Sequence, residues 1–319
     1  ARARGALGRG RRSRRLCGLK PVVWTSVVSE RHGRTRNFDP PRGVALEWAG
    51  LSTQRADLAT ALQTHFERRE FKFLIDEARV SRVREMIRPF CELDPFAAAQ
   101  PDHKYSIESI YFDTPNLALF RANEQEMSER YKLRIRSYPD VEGSPAFFEV
   151  KRRYNDVIVK DRGKAPSDWE KAVEEPGWFP GDTDGGVLSP AVEAFLARVR
   201  AKGCRPVCTV DYRREAWAST IDDYARVTFD GEIRCQAVES ARFGTRPGSW
   251  TGVDHAHPSW AVTRSMMVLE LKFTRAVPSW MVNIVKSLEL TRASFSKYGR
   301  SVTGLSLPPS RRVGVSTGF

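Results

Sequence analysis

Five segments of this chain alternate charge and hydrophobe with the two-residue period of a strand, and their charges are chiefly Lys and Arg. In Lys132-Leu133-Arg134-Ile135-Arg136-Ser137-Tyr138, Leu133 and Ile135 share one face, and Lys132, Arg134 and Arg136 the other. Glu70 and Lys72 likewise oppose Phe71, Phe73 and Ile75, while Glu149, Lys151 and Arg153 oppose Phe148 and Val150. Lys160 and Arg162 share a face, and Glu270 and Lys272 oppose Leu269, Leu271 and Phe273. Around Asp211–Arg214 the parity is open, since Tyr212 pairs with Arg214 and Asp211 with Arg213. One such strand is the ordinary wet face of an antiparallel sheet. Five are more restrictive, because a sheet that faced only water would mix Thr, Ser, Gln and both signs of charge. The pattern predicts a sheet closed into a barrel, charged inside, with its apolar outer face packed on helices. Like charges 4 Å apart cost about 4 kcal/mol at an effective dielectric of about 20. Such an interior needs water, counterions or a polyanion. Phosphate suits it, since Arg grips its oxygens bidentately and Lys acts as a point charge.

Helices are expected at 54–65, 77–90, 189–203 and 277–290, the third opened by Ser189-Pro190 and stopped by Gly203. Further strands are expected at 106–113, 206–217 and 225–235, with a helical or turn segment after Asp113-Thr114-Pro115. Long connections are expected at 173–188 and 240–264, and 295–301 reads as a loop. Strands and helices do not alternate strictly, which predicts an α+β domain on an antiparallel or mixed sheet rather than a doubly wound one. The organisation expected is a disordered basic extension over 1–53, a folded body over 54–305 and a flexible tail over 306–319.

Charge separates the extension from the body. Residues 1–65 hold 13 Lys and Arg against 4 Asp and Glu, net +9 of the chain's +13. That Arg-rich segment fits a transit peptide, a nonspecific nucleic-acid arm or an extension outside the functional protein. No apolar run approaches the roughly 18 residues of a membrane helix. The five cysteines are scattered and read as free thiols of a reducing cytosol. His255-Ala-His257 reads as a loop pair rather than a metal site, and Trp217, Trp260 and Trp280 as core or lid aromatics.

From Phe66 to Arg300 the chain resembles the triphosphate tunnel metalloenzymes and, within them, the polyphosphate-polymerising VTC (vacuolar transporter chaperone) domain. The motifs, in order, are FERREFKFLID, YFDTPN, YKLRIRSY, FFEVKRR with VIVKDR, DYRREAW, RVTFDGEIR, VLELKF and FSKYGR. The resemblance implies an eight-stranded antiparallel tunnel that holds the triphosphate of ATP or the end of a polyphosphate chain. It implies Lys72, Arg134, Arg136, Lys151, Arg214 and Lys297 as the catalytic cations. Lys160, Tyr212 and Ser296 would be further phosphate contacts, and Glu270 would carry Mn²⁺ or Mg²⁺. Ser294 stands where the eukaryotic family has a further Lys, leaving that contact absent or supplied by Arg292 or Arg300. Arg68 replaces the first Glu of the Glu-x-Glu-x-Lys opening of the hydrolase branches, which favours the polymerase.

Three function classes follow: an ATP:polyphosphate phosphotransferase, a triphosphatase with water as acceptor, and a non-catalytic polyphosphate-binding module. The expected partners are ATP and polyphosphate, with a membrane protein for chain export and no specific nucleic acid. The expected location is the cytoplasm, at a membrane's inner face through that partner. The sequence leaves oligomeric state open.

Overall fold

A computed structural model describes residues 68–154, 157–175, 188–222, 224–244, 248–254, 266–274 and 276–307. The expectations for 1–53, the helix at 54–65, His255, His257, Trp260 and most of the C-terminal tail fall outside them.

Ten strands and seven helices are described. The strands are β1 (Arg68–Ile75), β2 (Cys91–Leu93), β3 (Tyr105–Asp113), β4 (Glu129–Ser137), β5 (Phe147–Tyr154), β6 (Val157–Lys164), β7 (Arg205–Ser219), β8 (Ala225–Ala237), β9 (Thr251–Gly252) and β10 (Met267–Thr274). The helices are α1 (Glu77–Ile87), α2 (Pro95–Ala98), α3 (Ala118–Glu124), α4 (Trp169–Glu174), α5 (Pro190–Lys202), α6 (Ser279–Ser287) and α7 (Lys297–Gly304). All strand pairs are antiparallel, in the order β1-β10-β8-β7-β3-β4-β5-β6, with β2 added to β7 and β9 to β8. The α+β class is as expected.

The closed eight-stranded tunnel is corrected to a ten-stranded sheet that does not close, because its ends, β1 and β6, share no backbone ladder among the described residues. Both edges carry cations, Arg69 and Lys72 on one and Lys160 and Arg162 on the other. Edge charges of this kind oppose the close approach that a ladder needs. The sheet nonetheless curls, and Glu70 on β1 reaches Lys151 on β5 at 3.3 Å.

The apolar faces of the strands point outward onto helices. Leu133, Ile135, Phe148 and Val150 pack with Trp169 of α4 and Phe195 of α5. Phe73, Ile75, Leu269 and Leu271 pack with Val80, Val83 and Ile87 of α1 and with Trp280 and Met281 of α6. Helix α1 ends at Ile87, short of the expected 90, and Asp76 caps its start by accepting from the Arg79 N–H at 2.9 Å. Helix α5 follows its signals, with Ser189 as N-cap and Gly203 left-handed (φ 59°) at its end.

A third cluster lies on the inner face, where Phe295, Tyr298 and Val302 pack with Ile107, Tyr111, Cys208 and Val210. The expected loop at 295–301 is corrected here, because Lys297–Gly304 is helix α7. Ser296 caps it by accepting from the Gly299 N–H at 3.0 Å. Gly299 weakens the helical pattern in sequence, but a Cβ there would sit 3.0 Å from a Glu124 carboxylate oxygen. Buried Asp113 anchors this end, accepting from the Leu119 and Phe120 N–H groups at 2.8 Å each and from the Tyr298 hydroxyl at 2.6 Å. The four described cysteines, Cys91, Cys204, Cys208 and Cys235, are buried free thiols. No described helix is long and apolar enough to cross a membrane.

Candidate functional site

The concave face of the curled sheet encloses a cavity of about 750 Å³, lined by twelve Lys and Arg and only four Asp and Glu. Strand register puts the cations there. Lys132 stands opposite Lys151, and Lys151 opposite Lys160, a row of three lysines across β4, β5 and β6. Arg134 stands opposite Glu149, Lys72 opposite Glu270, and Arg214 opposite Asp230. Strand β7 alternates regularly here, in unbroken register with β3, and the partners of its side chains settle the parity that the sequence left open. Asp211 and Arg213 take outer partners, Arg234 and Asp102, while Tyr212 and Arg214 line the cavity. The register shift opposite Asp211 and Arg213 is a one-residue bulge in β8, between Arg234 and Gly231, and it sets Asp230 against Arg214.

All ten residues singled out from the sequence line this one cavity: Lys72, Arg134, Arg136, Lys151, Lys160, Tyr212, Arg214, Glu270, Ser296 and Lys297. Four carboxylates brace the cations. Glu70 meets Lys72 at 3.0 Å and Lys151 at 3.3 Å. Glu270 meets Lys272 at 2.6 Å, Lys72 at 3.3 Å, Arg214 at 3.7 Å and Lys297 at 3.8 Å. Glu149 meets Arg134 at 2.6 Å, Lys160 at 2.7 Å and Arg162 at 3.6 Å. Asp230 holds Arg214 at 2.6 Å and Lys297 at 2.5 Å. Burial alone would raise the pKa of each carboxylate. The cations outweigh it, Lys151 and Lys72 at Glu70 and Lys272 and Lys72 at Glu270, and keep both ionised. Burial works against the charge on Lys72 too, yet Glu70 and Glu270 hold its pKa above the ordinary lysine value.

Two cations are braced differently. Arg136 is 5% exposed and points Nε at Ser109 Oγ (3.4 Å) and Nη2 at the Tyr212 hydroxyl (3.2 Å), both neutral groups. Lys132 donates to Ser296 Oγ at 2.9 Å. Burial, then Lys72, Lys151 and Arg134, depress its pKa to about 7. Lys160 is also pushed to about 7, first by burial and then by Arg136 and Arg134 against the pull of Glu149. With 36% of its side chain facing the open cavity, Lys160 keeps its proton more readily than Lys132 does.

A depressed lysine has a definite pH signature. Between pH 7 and the unfolded value of about 10.4, the unfolded chain binds the Lys132 proton and the folded one sheds it, so this group's penalty on stability grows as pH falls through that window. Anion binding reverses the shedding. Tripolyphosphate binding at pH 8 is therefore expected to take up protons, and its affinity to fall by as much as about tenfold per pH unit above 7 for this lysine. Calorimetry in buffers of different ionisation enthalpy measures the uptake, and Lys132→Met should reduce it.

Sequence reasoning passed over Asp230 and gave Lys132 no role in the site. Lys132 was legible from its alternation with Arg134 and Arg136, whereas Asp230 stands out only once β7 and β8 are in register. Arg292 and Arg300, the candidates to replace the missing lysine at Ser294, lie over Phe71 and Phe295 and do not line the cavity. Neither do Trp217 and Trp280, which donate instead to Glu215 (2.7 Å) and Asp222 (2.8 Å).

The fold is thus a curled antiparallel sheet with a cation-rich, carboxylate-braced inner face. The match to the VTC domain runs over residues 67–305, and the chain belongs to that family. Membership ties it to polyphosphate-related function. No curated protein sequence matches the chain. Among solved structures it is similar to the PH1819 protein from Pyrococcus horikoshii OT3, at 12% identity and a TM-score of 0.37, over 75% of this chain and 97% of that one. At that distance the likeness informs neither fold nor function.

Proposed function

We propose that the chain is a polyphosphate polymerase that transfers the γ-phosphate of ATP to the end of an inorganic polyphosphate chain. The observation that carries this is the cavity wall, where the Arg136 guanidinium and the Lys132 amine bond neutral hydroxyls beside cations already matched to carboxylates. A triphosphate completes such a wall. Arg136 and Arg134 grip phosphate oxygens as planar forks, and Lys72, Lys132, Lys151 and Lys297 add point charges. The four carboxylates hold these cations in place before substrate arrives, so little reorganisation remains at the moment of reaction.

A terminal phosphate oxygen of the acceptor attacks the γ-phosphorus in line. The bond from that phosphorus to the bridging oxygen breaks, and its electron pair leaves with ADP. The acceptor gains one phosphate unit. Phosphoryl transfer of this kind needs positioning and charge neutralisation rather than a protein nucleophile.

A divalent cation, Mn²⁺ or Mg²⁺, would supply further neutralisation across adjacent phosphates. Among the described residues no group of three or more His, Cys, Asp or Glu forms a metal cage. An Mg²⁺-type ion needs only one or two carboxylates once phosphates and water complete its shell. Glu270 fits that role, ionised and at the cavity wall, with Glu70 close by across the shared Lys72.

The test is incubation of the full chain with ATP and Mn²⁺, with products resolved by length. A polyphosphate ladder with ADP supports the reading, orthophosphate alone replaces it with a triphosphatase, and binding without turnover replaces it with a binding module. Glu270→Gln is expected to lower turnover by about two orders of magnitude. It should leave metal-free tripolyphosphate binding undiminished, because it removes a negative charge from the wall.

A further inference from the structure

The reaction as proposed gives no work to one rim of the cavity, where aromatic side chains replace lysines. Phe96 on α2 is 53% exposed, unusual for so large an apolar group beside a polar cavity. Its ring lies nearly parallel to that of Tyr138, with centroids 6.5 Å apart and planes at 15°. Tyr138 meets Phe147 edge-on at 6.1 Å, and the Arg162 guanidinium covers Phe147 at 3.8 Å. All four line the same cavity as the phosphate-binding cations.

Tyr138 joins the two regions. Its hydroxyl accepts from Arg162 Nη2 at 3.2 Å, and against burial the charges of Arg136 and Arg162 hold its pKa below the ordinary tyrosine value. Its ring lies against the exposed Phe96. A ligand that matches both ends of this side chain is polyanionic at one end and flat and aromatic at the other. Inorganic polyphosphate has no such second end, but a nucleoside triphosphate does.

We infer that Phe96 and Tyr138 form a stacking platform for the base of the donor nucleotide. The inference rests on the phosphate-cavity reading and adds an orientation to it. The nucleoside sits at the Phe96 rim and the γ-phosphate points inward, toward Lys132 and Lys151. The platform reads the face of a base rather than its edge. The turn after Tyr138 lines the same rim, but it spends its own groups internally, Val141 N–H on the Tyr138 carbonyl (3.0 Å) and Ser144 N–H on the Val141 carbonyl (3.0 Å). Stacking on an aromatic face tolerates any base, so ATP and GTP are expected to bind within a few-fold of each other.

Titration calorimetry on the full chain with ATP and, separately, with inorganic tripolyphosphate tests the platform. Phe96→Ala is expected to weaken ATP binding about tenfold, within the range for one base stacked on one aromatic ring. Tripolyphosphate binding should change less than about twofold, and Phe96→Trp should restore ATP affinity. Equal losses for both ligands would make Phe96 merely structural and overturn the inference. Unchanged ATP affinity would also overturn it, while leaving the phosphate cavity intact. If the unaltered chain bound neither ligand, the phosphate-cavity reading would itself fail and take the platform with it.

Discussion

Arg136→Ala is expected to lower kcat/KM for ATP by about 10³-fold, the scale on which a phosphate-facing arginine acts in phosphoryl transfer. Arg136 differs from its neighbours in what holds it. Arg134 and Arg214 are each clamped by a buried carboxylate at 2.6 Å, whereas the bonds of Arg136 run to the hydroxyls of Ser109 and Tyr212. Glu149 acts on Arg136 only through space, so the guanidinium keeps hydrogen-bonding capacity that a further anion would complete. Glu149 keeps Arg134 and Lys160 when Arg136 is removed, so the empty protein should lose little stability. The lost quantity is the extra stability that tripolyphosphate confers, which follows from binding to the folded state alone. Arg136→Lys keeps the charge without the fork and should recover part of the activity. A variant that melted early yet turned over ATP normally would show Arg136 to be a packing residue and would sink its assignment.

The charged face was legible because strand periodicity does not depend on which strands are neighbours. Lys132, Arg134 and Arg136 fall on one side of β4 whatever pairs with it, so the alternation found the cavity-lining cations. What the period could not supply was register. The pairing of Arg214 with Asp230 depends on a bulge in β8 between Arg234 and Gly231, which Gly231 marks in the sequence but only the paired strands place against β7. For the same reason Asp230, fully buried under two cations, escaped notice. Closure of the sheet was over-read. A charged inner face requires curvature, but curvature can be held by a side-chain pair between β1 and β5, as Glu70 and Lys151 do, without a backbone ladder between the edges. Helix α7 was missed because Gly299 breaks the helical pattern of a short segment, although Ser296 three residues earlier is a good N-cap. Trp217 and Trp280 are not part of the aromatic rim, being tied to Glu215 and Asp222 elsewhere. The rim is built from Phe96 and Tyr138, on segments far apart in the chain.

Glu149→Gln is expected to cost about 3–5 kcal/mol of stability, the usual consequence of removing one member of a buried ionic group. Glu149 is 1% exposed and faces Arg134, Lys160 and Arg162 together, so an isosteric neutral side chain leaves three cations opposing each other. The loss should depend on pH in a fixed direction. Burial alone would raise the Glu149 pKa, but Arg134, Arg136 and Lys160 hold it well below the usual carboxylate range. Its contribution is thus complete above the unfolded value of about 4.3 and fades as pH falls through the lower folded value. The difference in melting temperature between the two proteins should be constant near neutrality and shrink below about pH 4. Tripolyphosphate gives the decisive contrast. At about a hundredfold excess over its Kd it should return roughly 2.7 kcal/mol to Glu149→Gln, and more than it returns to the unaltered protein, because the freed cations bind it more tightly. Sodium chloride at matched ionic strength should return far less. Equal stabilisation by both salts would mean that Glu149 braces the fold without tuning the cavity for phosphate, and the wall could then no longer be read as a site built around a polyanion.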